Sequence, residues 1–139
     1  MAGRSDVDIL EHLLATEGRL ISIYEAGLRR DAIDPEFAND LLAQEREHAR
    51  GLRGALADAG SRNPRASVPP PALGSALHSR EAFARFALDM ETEAVAAYVD
   101  AAATIHDPEL RQALGSVLAC ESAHRVALRD LMGERPLVD

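Results

Sequence analysis

The chain contains no lysine and no tryptophan, and its one cysteine, Cys120, has no partner for an internal disulfide, so the fold does not rest on oxidation. Aromatic residues amount to 4% of 139 residues. A core so short of large rings must be filled by Leu, Ala, Val and Ile, which favours close-packed helices over a sheet of β-branched and aromatic side chains. No stretch approaches the roughly 18 uninterrupted apolar residues of a membrane span. The N-terminal Met-Ala-Gly-Arg-Ser-Asp has no apolar run after its single Arg and so does not read as a signal peptide. A soluble cytoplasmic protein, without a membrane partner, is the expectation. Positive charge is scarce too. The 15 basic residues face 23 acidic ones, a formal charge of −8, which argues against a nucleic-acid partner because neutralising phosphates needs a basic face. A cation suits the balance better, and a metal ion is the simplest one.

What is present reads as one domain over residues 1–139, with 47% hydrophobic and 27% charged residues. Four helical segments pair into two hairpins. The first spans Asp6 to Arg30, with Ser5 as N-cap. The second opens at Asp34-Pro35-Glu36, where Asp caps, Pro takes the first helical position and Glu suits the positive end of the dipole; it stops near Gly60. The third spans Ser79 to Ile105. The fourth repeats the start signal as Asp107-Pro108-Glu109 and stops at Gly133, with Pro136 beyond. Between the hairpins, Gly60 to His78 is rich in Ser, Pro and Gly, including Pro69-Pro70-Pro71, and is expected to be extended. At roughly 3.1 Å per residue it reaches along a bundle about 37 Å long. Two short turns and one long connection predict an all-α four-helix bundle with a single crossover.

The halves resemble each other. Glu17 through Tyr24 aligns with Glu91 through Tyr98, and Glu45-Arg-Glu-His48 with Glu121-Ser-Ala-His124, at separations of 74 and 76 residues, which reads as a duplicated hairpin. Apolar residues at heptad spacing define four seams. They run through Leu10, Leu13, Glu17, Leu20, Tyr24 and Leu28, and through Ala38, Leu41, Glu45, His48, Leu52 and Ala55. The third follows Leu88, Glu91, Val95, Tyr98, Ala102 and Ile105, and the fourth Leu110, Leu114, Val117, Glu121, His124, Leu128 and Leu131. Each would be an unbroken core stripe but for ionisable groups at its middle.

Four Glu and two His therefore point inward, and at about 1.5 Å per residue all six fall at one level, on the order of 20 Å from the turns. An unpaired buried charge costs several kcal/mol against a native stability of about 5–15 kcal/mol. With no Arg on any seam, the carboxylates have no basic neighbour in the core. Two divalent cations would neutralise them, with each imidazole completing a coordination sphere. Carboxylate oxygen with imidazole nitrogen suits iron or manganese, and zinc less distinctively. The other ionisable groups have ordinary readings. Glu11, Glu25, Glu47 and Glu93 fall off the seams, and His12, His78 and His106 sit on surfaces or loops. Cys120 reads as a small buried hydrophobe. Gln44, Asp89 and Asp100 are candidates to hold the outer nitrogen of His48 or His124.

This set resembles the ferritin-like di-iron carboxylate superfamily, with the ligand pattern of bacterioferritin and rubrerythrin, from about Leu10 to Met132. The resemblance implies that Glu17 and Glu91 are single-carboxylate metal ligands. It implies that Glu45 with His48 and Glu121 with His124 are the paired ones, Glu45 and Glu121 bridging. Tyr24, seven residues after Glu17, is similar to the tyrosine beside the ferritin metal site, and Tyr98 holds the repeated place; both are candidate catalytic residues, in a redox role or supporting the metal ligands, the alternative being core packing with a satisfied hydroxyl. The departures are specific. There is no Cys-x-x-Cys electron-transfer domain, and Ala94 replaces an additional Glu of rubrerythrins. Arg46 stands where bacterioferritin ligates haem through Met, so no haem is expected. Six residues after Gly133 are too few for the fifth helix of cage-forming ferritins.

The resemblance implies a protein with two iron ions per chain, or Mn or Zn, reacting with O2 or H2O2 as a ferroxidase or a rubrerythrin-like peroxidase. An electron donor outside the chain and a homodimer belong to the same expectation. The alternative is a non-catalytic protein that binds or sequesters metal, with a structural Zn, Mn or Fe site. A DNA-protecting role conflicts with the acidic charge and with ligands inside one bundle.

Overall fold

Four long helices account for the computed structural model, which describes residues 3–61 and 72–134. They are α1 (Asp6–Arg29), α2 (Pro35–Asp58), α3 (Arg80–Thr104) and α4 (Pro108–Leu131); no strand occurs among the described residues. Each begins where a short polar side chain can satisfy free backbone N–H groups. Ser5 accepts from the Asp8 N–H at 3.1 Å while the Asp8 carboxylate accepts from the Ser5 N–H at 3.1 Å, a reciprocal capping box. Asp34 accepts from Phe37 N–H at 3.0 Å, Ser79 from Ala82 N–H at 3.0 Å, and Asp107 from Glu109 and Leu110 N–H at 2.8 and 3.1 Å. Pro35 and Pro108 open α2 and α4 where no donor is lost. The four expected helices and their starts are thus observed.

The chain direction follows from contacts between ends. Gly27, late in α1, lies against Phe83, early in α3. At the opposite end Asp6, which opens α1, accepts from the N–H groups of His106 and Asp107 between α3 and α4, at 2.9 and 3.1 Å. α1 and α3 therefore run antiparallel, and so do α2 and α4. Packing is closest within each hairpin and between α1 and α3, whereas α2 and α4 barely meet and leave a cleft.

Two apolar cores fill the bundle, one toward each end. One gathers Leu20, Ile23, Tyr24, Ile33, Leu41, Leu42, Phe83, Ala87 and Leu128. The other gathers Ile9, Leu10, Leu13, Leu14, Leu52, Leu56, Tyr98, Ile105 and Leu114. Between them lies a layer of buried ionisable groups.

Three expectations need correction, and two fall outside the described residues. The buried line of α3 runs through Ala84, Ala87, Glu91, Ala94, Tyr98, Ala101 and Ile105, while Leu88, Val95 and Ala102 are half-buried at its edge. α3 is so rich in Ala that its pattern offers little size contrast, and the large Phe83 sets the rotation by seating on Gly27. Leu131, at the end of the fourth seam, is exposed. The connection before α3 is not extended throughout: Gly74–Leu77 forms a 3-10 turn whose flanking Leu73 and Leu77 pack on the core. The Pro69–Pro71 run and Pro136 lie outside the described residues.

Candidate metal centre

All six ionisable seam residues meet in the layer between the two cores. Glu17 comes from α1, Glu45 and His48 from α2, Glu91 from α3, and Glu121 and His124 from α4. Spacing on each helix does the local work. Three residues are close to one turn, so Glu45 and His48 share a face of α2, as Glu121 and His124 share one of α4. The four carboxylates are wholly buried.

The groups fall into two sets around the imidazoles. Nδ1 of His48 lies 3.8 Å from Glu17, 3.2 Å from Glu45 and 3.0 Å from Glu121. Nδ1 of His124 lies 3.5 Å from Glu91, 2.9 Å from Glu45 and 3.2 Å from Glu121. The ring centroids are 6.3 Å apart. Glu45 turns Oε2 to His48 and Oε1 to His124, and Glu121 does the same with Oε1 and Oε2. Glu17, Glu45, His48 and Glu121 offer one donor atom each within 4.8 Å of one another, as do Glu45, Glu91, Glu121 and His124. Each is a set that could hold a metal ion.

Hydrogen bonding leaves this centre underserved. Oε2 of Glu17, Oε1 of Glu45, Oε2 of Glu91, both oxygens of Glu121 and Nδ1 of His124 have no aligned partner. Nδ1 of His124 is near enough to the carboxylates for an ion pair but is not aimed along a hydrogen bond. Buried polar atoms are ordinarily satisfied, so orphans concentrated at one place fit a cation, which accepts lone pairs from all of them.

The electrostatics agree. Burial pushes the Glu17 and Glu45 carboxyls up from the usual carboxylate range, against the pull of the neighbouring imidazoles. Burial also takes Glu91 up to about 8, with the Glu45 and Glu121 charges adding to it. Glu121 goes the other way: burial opposes ionisation, but bonds from His124 and His48 hold the carboxylate charged. Burial would discharge both imidazoles, yet the surrounding carboxylates raise His48 far above its ordinary value and His124 to about 12. Without metal, then, the layer neutralises itself with protons that a metal would replace.

The tyrosines close the layer from both sides. Tyr24 on α1 donates its hydroxyl to Oε1 of Glu91 on α3, and Tyr98 on α3 donates to Oε1 of Glu17 on α1. Burial is the largest cause raising both phenols, so they remain protonated donors.

Some expected roles change. Among the candidates for the outer nitrogens, Gln44 reaches Nε2 of His124 through Oε1 at 3.0 Å, whereas Asp89 and Asp100 make no hydrogen bond to either imidazole. Cys120 is half-buried rather than packed as a hydrophobe, and its thiol donates to Gln44 Oε1 at 2.9 Å. That contact crosses from α4 to α2, which no pattern along one helix reveals. Arg46 turns out to Glu25 at 3.0 Å, and His106 pairs with Asp6 at 2.9 Å. Among the described residues no helix is long and apolar enough to cross a membrane.

Comparison with known proteins adds one match. A family described as "Ferritin-like domain" covers residues 5–134. No curated protein and no solved structure matches the chain.

Proposed function

The chain belongs to the ferritin-like domain family, and from that premise we propose that it is a non-haem di-iron protein whose metal pair reacts with O2 or peroxide as a ferroxidase or peroxidase. One observation carries the reading: six donor side chains converge at one level of the bundle, and six of their buried atoms lack aligned hydrogen bonds. Glu45 and Glu121 would serve both ions, since each turns one oxygen to either imidazole. Glu17 and His48 would complete one set, and Glu91 and His124 the other. When bound, the metals supply redox equivalents and Lewis acidity that the donor residues lack.

The chain's own residues do the rest. Burial between two apolar cores excludes water and enforces charge balance, so the carboxylates favour dications over monovalent ions. Tyr24 and Tyr98 hold Glu91 and Glu17 in place and keep a proton on the phenol. Gln44 fixes the His124 ring. Manganese and zinc suit the same donors, and the reading includes an outside electron donor, a cytoplasmic location and, through the family resemblance alone, a homodimer.

Anaerobic titration with Fe(II), followed by O2 or H2O2, tests this. The expected result is two equivalents bound per chain and an oxidised-iron spectrum after the oxidant. Binding without oxidation removes the enzymatic half, and no binding overturns the whole. The complete burial of the four carboxylates also favours a second reading, a structural zinc or manganese site without turnover. Metal analysis of the protein as purified, with melting before and after chelation, separates the two.

A further inference from the structure

The cleft between α2 and α4 is unequal at its two ends. Toward the α3–α4 turn it holds a cavity of about 260 Å3 walled by Leu10, Leu52, Leu110, Leu114 and Val117, with His48 and Glu47 as its ionisable lining groups. The duplicated hairpin explains why it lies there. Gly51 and Ala55 line it from α2, where the repeat 76 residues on carries Ala127 and Leu131. Ala113 lines it from α4, where the first half carries Phe37. Small side chains therefore coincide beside His48, whereas the repeat places Phe37, packed on the core, and Leu131, exposed, at the other end. In between, the Gln44–Cys120–His124 contacts bridge the helices. The His48 side chain is 11% exposed and that of His124 4%, so the set containing His48 is the one reached from this cleft.

We propose that this cavity binds a small uncharged apolar organic molecule against His48. A cavity of about 150 Å3 holds benzene, so this volume suits roughly ten non-hydrogen atoms. The apolar walls offer an anion no compensation for its lost hydration, and a cation only Glu47, which is exposed to water at the rim. Anions are further opposed by Glu47 and by Asp58, Asp107 and Glu109 along the adjoining depression. A second protein chain fits poorly, because such a surface needs a broad apolar patch and the flanking Glu47, Arg50, Asp58, Glu109 and Gln112 are exposed and polar. The cavity would give the proposed peroxidase site an organic reductant and in that respect rests on the reading above, while the binding itself stands apart from it.

The test uses zinc-loaded protein with toluene, benzoate and benzylammonium as probes, followed by ligand-observed NMR. Toluene is expected to bind at least about tenfold more tightly than either ion. Gly51→Leu should weaken toluene by at least about tenfold with two zinc ions retained; a Cβ at Gly51 meets nothing within 4 Å, so the helix tolerates the change. Ala55→Leu provides a second filling variant, and Ala123→Leu, on the exposed face of α4, should leave toluene binding intact. Equal affinity for the three probes, or unchanged toluene binding in both filled variants, overturns the proposal. So does a wild-type dimer, seen by size exclusion, that Gly51→Leu dissociates, since a second copy would then own the cavity. Failure to bind two zinc ions counts against the metal reading alone, because toluene binding to the metal-free chain still decides the cavity.

Discussion

Gln44 of α2 reaches across the cleft to Nε2 of His124 on α4 at 3.0 Å, while Nδ1 of the same ring lies within 3.5 Å of three carboxylates. The two contacts fix the ring's role: a proton on Nε2 is held by the amide oxygen, and Nδ1 is left as the inward donor. Removing such an outer partner typically costs about 10–100-fold in metal affinity. Gln44→Leu is therefore expected to weaken one of two bound equivalents in a chelator competition, and Gln44→Glu, which keeps the acceptor, to restore it. Equal weakening of both equivalents would contradict the assignment.

Charge-neutral substitutions should separate the shared from the unshared carboxylates. Glu17 faces only the His48 set, whereas Glu45 faces both imidazoles. Glu17→Gln should lower the stoichiometry from two ions toward one, and Glu45→Gln should weaken both. The metal-free Glu45→Gln protein should also be more stable at alkaline pH, on the order of 1–3 kcal/mol, because an amide removes one buried carboxylate charge. Dialysis equilibrium with zinc and urea denaturation check the two halves.

Stability should depend on pH with opposite signs in the metal-free and loaded forms. Glu91 is raised from 4.5 to about 8, chiefly by burial, and Glu17 and Glu45 are raised for the same first reason. His124 is raised from 6.5 to about 12, its burial outweighed by its carboxylate partners. A group raised on folding stabilises below its unfolded value and loses that contribution as pH climbs through the folded value. Glu91 then costs stability across pH 4.5 to about 8, and His124 from 6.5 upward. Glu121, lowered, acts oppositely, and its contribution is lost only in acid below 4.5. The metal-free protein should melt lower at about pH 8.5 than at about pH 5.5. With metal the order should reverse, since the donors must lose their protons to bind. A metal-free melting temperature that rises over this range would refute the assignment of protons to the layer.

What the sequence discloses here depends on contrast. Glu45, His48, Glu121 and His124 stand out because charge interrupts otherwise apolar seams, and Ser5, Asp34 and Asp107 because capping chemistry is local to a few residues. α3 gives less away: its many alanines leave the rotation open by about one seam position until Phe83 finds Gly27 on another helix. Nothing in the sequence sets Gln44 apart from Asp89 and Asp100, since its partners His124 and Cys120 are 80 and 76 residues away. The cavity beside His48 was hidden for the same reason. Gly51, Ala55 and Ala113 are unremarkable singly and make a space only when α2 and α4 face each other.

The contact between Gly27 and Phe83 gives a test of the bundle independent of its chemistry. A Cβ at position 27 would come within 3.0 Å of three ring atoms of Phe83. The ring is fully buried in the core that also holds Tyr24 and Leu128, so it cannot swing aside without displacing neighbours. Overpacking of this kind costs about 1–3 kcal/mol. Gly27→Ala is expected to lower stability by that amount in urea denaturation. Gly27→Ala combined with Phe83→Leu should recover part of the loss, because the smaller side chain vacates the space the methyl needs. Both proteins should still bind two metal ions, as the contact lies in one apolar core and not in the carboxylate layer. Simple additivity of the two substitutions would show that the ring and the glycine are not coupled, and the rotation of α3 would then need another cause.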